Sequence, residues 1–454
     1  MASPPSTPPA KVPETPDEWR FVYSGALCEF PEDYCPGGFH PVNLGDRFHN
    51  GRYRVIRKLG DGAYSIVWLA VDTKTPRYVA LKIMVAKAST TVTELSILDH
   101  LSQRAPSDPN SQHVTTLLDT FTHTGPNGTH RCMVFEPMGI TAASLVEELP
   151  ENKPKTFGVR QRYPYWMAKK ILRHALLSLA FLHSNGVVHG DVQPGNMLFA
   201  IDDLSSVAED ELKQDEASTS VQLRRVDGKE DRWAPKTLYI PQPLHDRVRL
   251  VPEHLHVKLS DLGASFFTAH PPSSTITPIA LRAPELILPS SRLRTTTDDP
   301  SAQGPQPLGP AIDMWAFGCL IYEFITGTPL FVVALLSHDQ SELDDADDDH
   351  LTQIYDTIRP LPPFIMDAWP RRDRWFGPRG ERLNPHGDGE GGRAVYVPGE
   401  TLEERFEKEK PGVGVGEGEA RVVCGLVRWC LEYDPEKRPG AGELLEQVWF
   451  MGEE

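Results

Sequence analysis

The hydrophobic period of this chain turns from mainly strand-like to mainly helical beyond Gly139, and that change limits the folds open to it. From about residue 50 to residue 86 the runs YRVIRKLG, SIVWLAVD and YVALKIMVA are short, rich in β-branched and aromatic residues, and separated by turn residues. Such spacing predicts an antiparallel meander. TVTELSILDHL then has helical spacing, and HVTTLLDTFTH and HRCMVFEPM read as two further strands. Beyond Gly139 the pattern becomes helical: in YWMAKKILRHALLSLAFLHSNG, Ile171, Ala175, Leu179 and Leu182 share one face and Gly186 supplies the stop. The expected architecture is α+β, a small β-rich lobe followed by a larger, mainly α lobe.

Four stretches interrupt this order. Residues 1–30 begin Pro/Ser/Thr-rich and are expected to be a disordered tail, since their first part offers little apolar surface to offset ordering entropy. Residues 201–250 contain AEDELKQDEASTS and are read as a partly disordered insert in the second lobe, which spans 140–451 after a first lobe at 31–139. SHDQSELDDADDDH at 337–350 and the Gly/Pro-rich 378–419 are read as loops. The net charge of −17 argues against broad nucleic-acid binding and suits basic partners. Six scattered cysteines, with no CxxC pair, fit a reducing compartment. No apolar run reaches the ~20 residues of a membrane helix, so an intracellular protein without membrane or nucleic-acid contact is expected. Asn127-Gly128-Thr129 reads as a turn rather than a glycan site, and the scattered histidines have no ligand-like spacing for a structural zinc.

Chemistry-bearing residues occur in a fixed order. LGDGAYSIV (Leu59, Gly60, Asp61, Gly62, Ala63, Tyr64, Ser65, Ile66, Val67) places two glycines in a strand-turn-strand, where backbone amides can approach a phosphate, although Ser65 stands where a third glycine would complete the pattern. Ala80 and Lys82 close the next strand, and Glu94 follows on a helix, so that a carboxylate can hold the lysine toward phosphates. In VVHGDVQPGNMLF, Asp191 is placed to accept a hydroxyl proton and Asn196 to bind a cation; in VKLSDLGAS, Asp261 is a second cation ligand. RAPELIL follows.

Together these motifs resemble the eukaryotic protein kinase domain, and in detail the SR-protein kinase (serine/arginine-protein kinase) family. EDYCPGGFHPVNLGDRFHNGRYRVIRKLG, SDPNSQHVTTLLDTFTHTGPNGTHRCMVFEPMG, the D-L-G form at Asp261, the insert after Asn196 and DDDHLTQIYDTI carry the likeness over most of the chain. The resemblance implies a bilobal, monomeric serine/threonine kinase of cytoplasm or nucleus, with ATP and Mg²⁺ as cofactors. It places adenine against Glu136 to Met138, makes Phe135 the gatekeeper, pairs Glu285 with Arg438, and sets Asp313 beneath the catalytic loop. It also implies Arg/Ser-rich substrates docked on acidic residues, here Asp347, Asp348, Asp349 and Asp356, with Glu342, Asp344 and Asp345 upstream; a solvated acidic loop with no partner is the plainer alternative.

Three departures matter. Gly190 replaces an arginine that in many kinases meets a phosphate on the activation loop, so activation without loop phosphorylation is expected. Gln193 replaces a lysine beside the transferred phosphoryl group, and Pro278 replaces a threonine that contacts the same corner. Glutamine retains an N–H donor, which favours a slow enzyme; a nucleotide-binding pseudokinase scaffold is the alternative. Trp315, Phe317, Trp429 and Cys319 read as core.

Overall fold

The computed structural model describes residues 18–89, 93–154, 160–288, 308–335, 340–383 and 399–451. The chain divides into two compact units: one of residues up to 103, 114–140 and 198–255, the other of 104–113, 141–197 and 256 onward.

The first unit is built on a six-stranded antiparallel sheet of β1 (Arg47–Phe48), β2 (Tyr53–Gly62), β3 (Ser65–Asp72), β4 (Arg77–Met84), β5 (Leu117–Gly125) and β6 (Gly128–Phe135), in the order β1-β2-β3-β4-β6-β5. Strand alternation sends Ile66, Trp68 and Ala70 to one face and Leu69 to the other, so each face carries its own apolar cluster. The helix α1 (Thr93–Arg104) buries Ile97, Leu98 and Leu101.

Two sequence expectations fail here for the same reason. The insert at 201–250 is ordered and belongs to the first unit rather than the second. Its sparse apolar residues suffice: Leu204, Leu212 and Leu244 pack with Ile56 and Leu69, while Ala234, Leu238 and Tyr239 join the cluster on the opposite face. It also completes a strand edge. Gln214 N donates to Ile56 O (3.0 Å), Lys58 N to Gln214 Oε1 (2.9 Å), and Gln242 N to Lys58 O (2.9 Å), along the side of β2 that β1 leaves open. Residues 18–30, placed in the tail, are likewise ordered: Phe21 is buried in the sheet's core and forms an isolated bridge with Arg225. Arg20 Nε pairs with buried Glu32 at 2.8 Å. Residues 1–17 lie outside the described residues. Asn127 links the insert to the segment before the sheet, its amide donating to Phe39 O (2.5 Å) and Trp233 O (2.7 Å).

The second unit is mainly helical. Tyr165–Ser184 buries Ile171, Ala175, Leu179 and Leu182, the face read from the sequence. Ala311–Thr326 is buried almost all round, with Trp315, Phe317 and Cys319 in the core; Trp429 is half-buried. Two segments read as loops contain helices. Leu402–Val413 starts from a capping box, Thr401 N donating to Glu404 Oε2 (2.9 Å) and Glu404 N to Thr401 Oγ1 (3.3 Å), and buries Leu402 and Phe406 one turn apart. The acidic run forms Gln340–Thr357, where Ala346, Leu351 and Ile354 supply a core face that the charges hide in the sequence.

Candidate active site

The first unit carries the glycine turn, the lysine and the glutamate. Gly60 and Gly62 end β2, Asp61 pairs in register with Ile66, and Ala63 and Tyr64 make the turn into Ser65. A Cβ at Gly60 or Gly62 would meet nothing within 4 Å, so the main chain there presents an open surface. The other residues of this stretch divide: Ile66 is buried in the core, Leu59 packs against the cluster that includes the insert, and Val67 is half-buried opposite Lys82. Lys82 Nζ lies 3.2 Å from Glu94 Oε1, both side chains nearly buried. Ala80 pairs with Phe135 across β4 and β6. Beyond Phe135, Glu136 accepts from Thr116 N (3.2 Å) and Met138 is buried.

The second unit carries the loop of residues 187–197, whose backbone is fixed from beneath. Asp313, 1% exposed, accepts from His189 N and Gly190 N, each at 2.8 Å, and from His183 Nε2 at 2.9 Å. His189 donates from Nε2 to Ser260 O (3.1 Å) and accepts from Asp191 N on Nδ1 (3.2 Å), which sets its tautomer. Asp191 is gripped by two neutral amides. Gln193 Nε2 donates to both carboxylate oxygens (2.8 and 2.9 Å), and Asn196 Nδ2 to Oδ2 (2.8 Å) and to Asp191 O (2.9 Å). Burial, reinforced by the Asp261 charge, holds the Asp191 carboxyl above its ordinary range despite these hydrogen bonds.

Asn196 spends its N–H groups on Asp191, so its carbonyl oxygen is the donor left for a cation. Asp261 sits in a left-handed conformation (φ +61°) and accepts from Gly263 N at 3.3 Å. Backbone strain of this kind is retained where neighbours over-determine it. An amide oxygen and a carboxylate form a hard oxygen set suited to Mg²⁺.

The missing arginine acquires a steric explanation. Gly190 has φ +78°, and a Cβ there would lie 2.8 Å from Ala264 O. The segment after Asp261 is held without a phosphate: Phe266 and Phe267 pair with Val188 and Val187, Ser265 Oγ donates to His189 O (3.0 Å), and Thr277 Oγ1 to Gly190 O (2.6 Å). Thr277, adjacent to Pro278, thus meets the loop at a position the sequence reading did not single out. Glu285 and Arg438 form a two-pronged pair (2.5 and 2.8 Å) over Trp315.

The acidic residues do not act as one surface. Asp348 is wholly buried and accepts from Trp369 Nε1 (2.7 Å), Arg371 Nε (2.9 Å) and Trp375 Nε1 (3.2 Å). It is a structural anchor and is unavailable to a docked peptide. Asp344 and Asp345 pair with Arg371 (3.1 Å) and Arg374 (2.9 Å), and Asp356 lies 3.7 Å from Arg382. Asp347 is half-buried, its carboxyl pushed up to about 6 by burial.

The histidines are less scattered than their spacing suggests. His113, His174 and His256, from three separate segments of the second unit, bring their ligand nitrogens within 4.8 Å of one another. His113 Nδ1 donates to Val257 O (3.3 Å) and His256 Nε2 to Gln112 O (3.1 Å). His174 instead accepts Val257 N–H on Nδ1 (3.1 Å), which puts its proton on Nε2. The three rings pack on one another, with centroids 4.5 to 5.1 Å apart, and burial lowers the basicity of His113 and His174.

The protein kinase domain family matches residues 53–210 and 249–450. The serine/threonine-protein kinase SRPK of Physarum polycephalum is 29% identical over 93% of this chain and 91% of its own. A serine/threonine protein kinase of Aspergillus fumigatus is 29% identical over 97% and 96%, and human SRSF protein kinase 3 is 38% identical over 38% and 30%. A crystal structure of a kinase domain, 21% identical, superposes with a TM-score of 0.57 over 90% of this chain and 98% of that one, which speaks to the fold. With the glycine turn, the Lys82–Glu94 pair and the Asp191 loop in place, the chain belongs to the protein kinase family, as a divergent relative of the kinases named SRPK.

Proposed function

We propose that the chain is an active serine/threonine kinase that uses ATP and Mg²⁺ and acts on basic, Arg/Ser-rich protein segments. The observation that carries this reading is the Asp191 carboxylate, oriented by Gln193 and Asn196 on a backbone fixed to Asp313. ATP, when bound, supplies the phosphoryl group, with Mg²⁺ spreading its charge. Lys82, held by Glu94, and the amides of the glycine turn would bind phosphate oxygens. Asn196 and Asp261 would hold the cation. Asp191 would orient the substrate hydroxyl and take its proton as the oxygen bonds phosphorus and the bridging oxygen of the diphosphate leaves. The six cysteines are unpaired, in keeping with the reducing compartment expected from the sequence, and no described helix is long and apolar enough to cross a membrane.

For the substrate, Asp347 and Asp349 remain the acidic candidates once Asp348 is removed. Ionised Asp347 is the form that attracts a cation, so binding of a basic peptide should weaken as pH falls through about 6. The alternative of a scaffold without phosphotransfer rests on Gln193. Incubation with Mg-ATP and an Arg-Ser peptide, beside Asp191→Ala, separates the two readings. Serine phosphate should form at least about a hundredfold faster in the wild-type protein; equal background in both proteins would leave the scaffold.

A further inference from the structure

The side chain of Lys58 has no exposed surface, although it lies two residues before Gly60 of the glycine turn. A buried ammonium is costly unless paired, and here two carboxylates pair it. One is Glu29, from the segment that precedes the matched kinase domain; the other is Asp61, between Gly60 and Gly62, at 2.9 Å. Glu29 is itself fixed, accepting from the buried Tyr34 hydroxyl at 2.5 Å. The backbone of Lys58 is held independently by Gln214 and Gln242 of the insert, and the ladder between β2 and β3 shifts register between Lys58 and Gly60. Lys58 is therefore clamped on both main chain and side chain by residues from outside the sheet.

Asp61 makes this clamp consequential. It puts a carboxylate in a turn whose open side is bare main chain, where a negative charge repels phosphate. We propose that Lys58, seated by Glu29, is a positioning residue for nucleotide binding: it neutralises the Asp61 carboxylate and draws it inward, so that the turn can receive the phosphates of ATP. This inference rests on the reading of that turn as the phosphate-binding element.

The test compares KM for Mg-ATP, and affinity for adenosine, in Lys58→Met and in Lys58→Met/Glu29→Gln, each with and without Asp61→Asn. The second background leaves no buried charge unpaired, so it remains informative if Lys58→Met alone does not fold. Releasing the Asp61 charge should raise KM for ATP on the order of tenfold, change kcat much less, and leave adenosine affinity unaltered. Adding Asp61→Asn should restore KM, which a purely structural role for Lys58 would not allow. An unchanged KM, a rise that Asp61→Asn fails to reverse, or an equal loss for adenosine would overturn the proposal. A wild-type protein that binds ATP no better than adenosine would instead remove the phosphate-binding reading, and this inference with it.

Discussion

The two units hold the residues proposed for phosphoryl transfer in different ways. In the second unit the Asp191 loop is fixed from within the matched kinase domain, by Asp313, Ser260, Ser265 and Thr277. In the first, the sheet that presents the glycine turn depends on additions lying outside that match: Phe21, Tyr34, Phe39 and Val42 before it, and Leu212, Leu238 and Tyr239 in the gap between its two parts. One half is stabilised by hydrogen bonds to the main chain, the other by apolar burial of segments distant in sequence. The first arrangement resists substitution anywhere except at its few contact points; the second fails when a whole segment is removed.

Truncation to residue 53 presses hardest on this contrast. It removes several fully buried side chains, each worth roughly 1.5–3 kcal/mol, and should abolish amide protection in β2 to β4 while protection in the helix Tyr165–Ser184 persists, as read by hydrogen exchange. Uniform loss of protection in both units would erase the distinction. Asp348→Ala tests the second unit at a buried contact: with two indole N–H groups losing this acceptor and Arg371 keeping its contacts to Asp344, stability should fall by about 3 kcal/mol in thermal or denaturant unfolding. A smaller penalty of about 2 kcal/mol is expected for Gly190→Ala, from its positive φ and the close Ala264 carbonyl.

Gln193→Lys is the gentlest test and concerns chemistry rather than stability. A cation beside Asp191 should raise kcat by about tenfold. It should also move the acid limb of the kcat–pH profile: Asp191 must be ionised to accept a proton, burial holds its pKa high, and a neighbouring ammonium would lower it, shifting the limb to lower pH. An unmoved limb would show that Asp191 does not set it.

The parts that were legible in the sequence are those encoded locally. The strands, Lys82, Glu94 and the spacing of Asp191 to Asn196 can be read because each signal is contained in one element. The docking of the insert could not be read, because Leu204, Leu212 and Leu244 follow no period and their partners Ile56 and Leu69 are more than a hundred residues away. Within DDADDDH every aspartate looks alike; only the phase of the helix and the distant Trp369, Arg371 and Trp375 single out Asp348. Gly190 looked like the loss of a side chain, whereas its left-handed backbone and close neighbour make it a steric requirement.

The insert's place along β2 has a further consequence, for behaviour in a crowded solution. A strand edge with unsatisfied N–H and C=O groups is a template on which another chain can add a strand. By occupying Ile56 O, Lys58 N and Lys58 O, Gln214 and Gln242 close that template beside the glycine turn. A chain that lost this segment would therefore gain a sticky edge as well as lose stability, and its first symptom would be self-association.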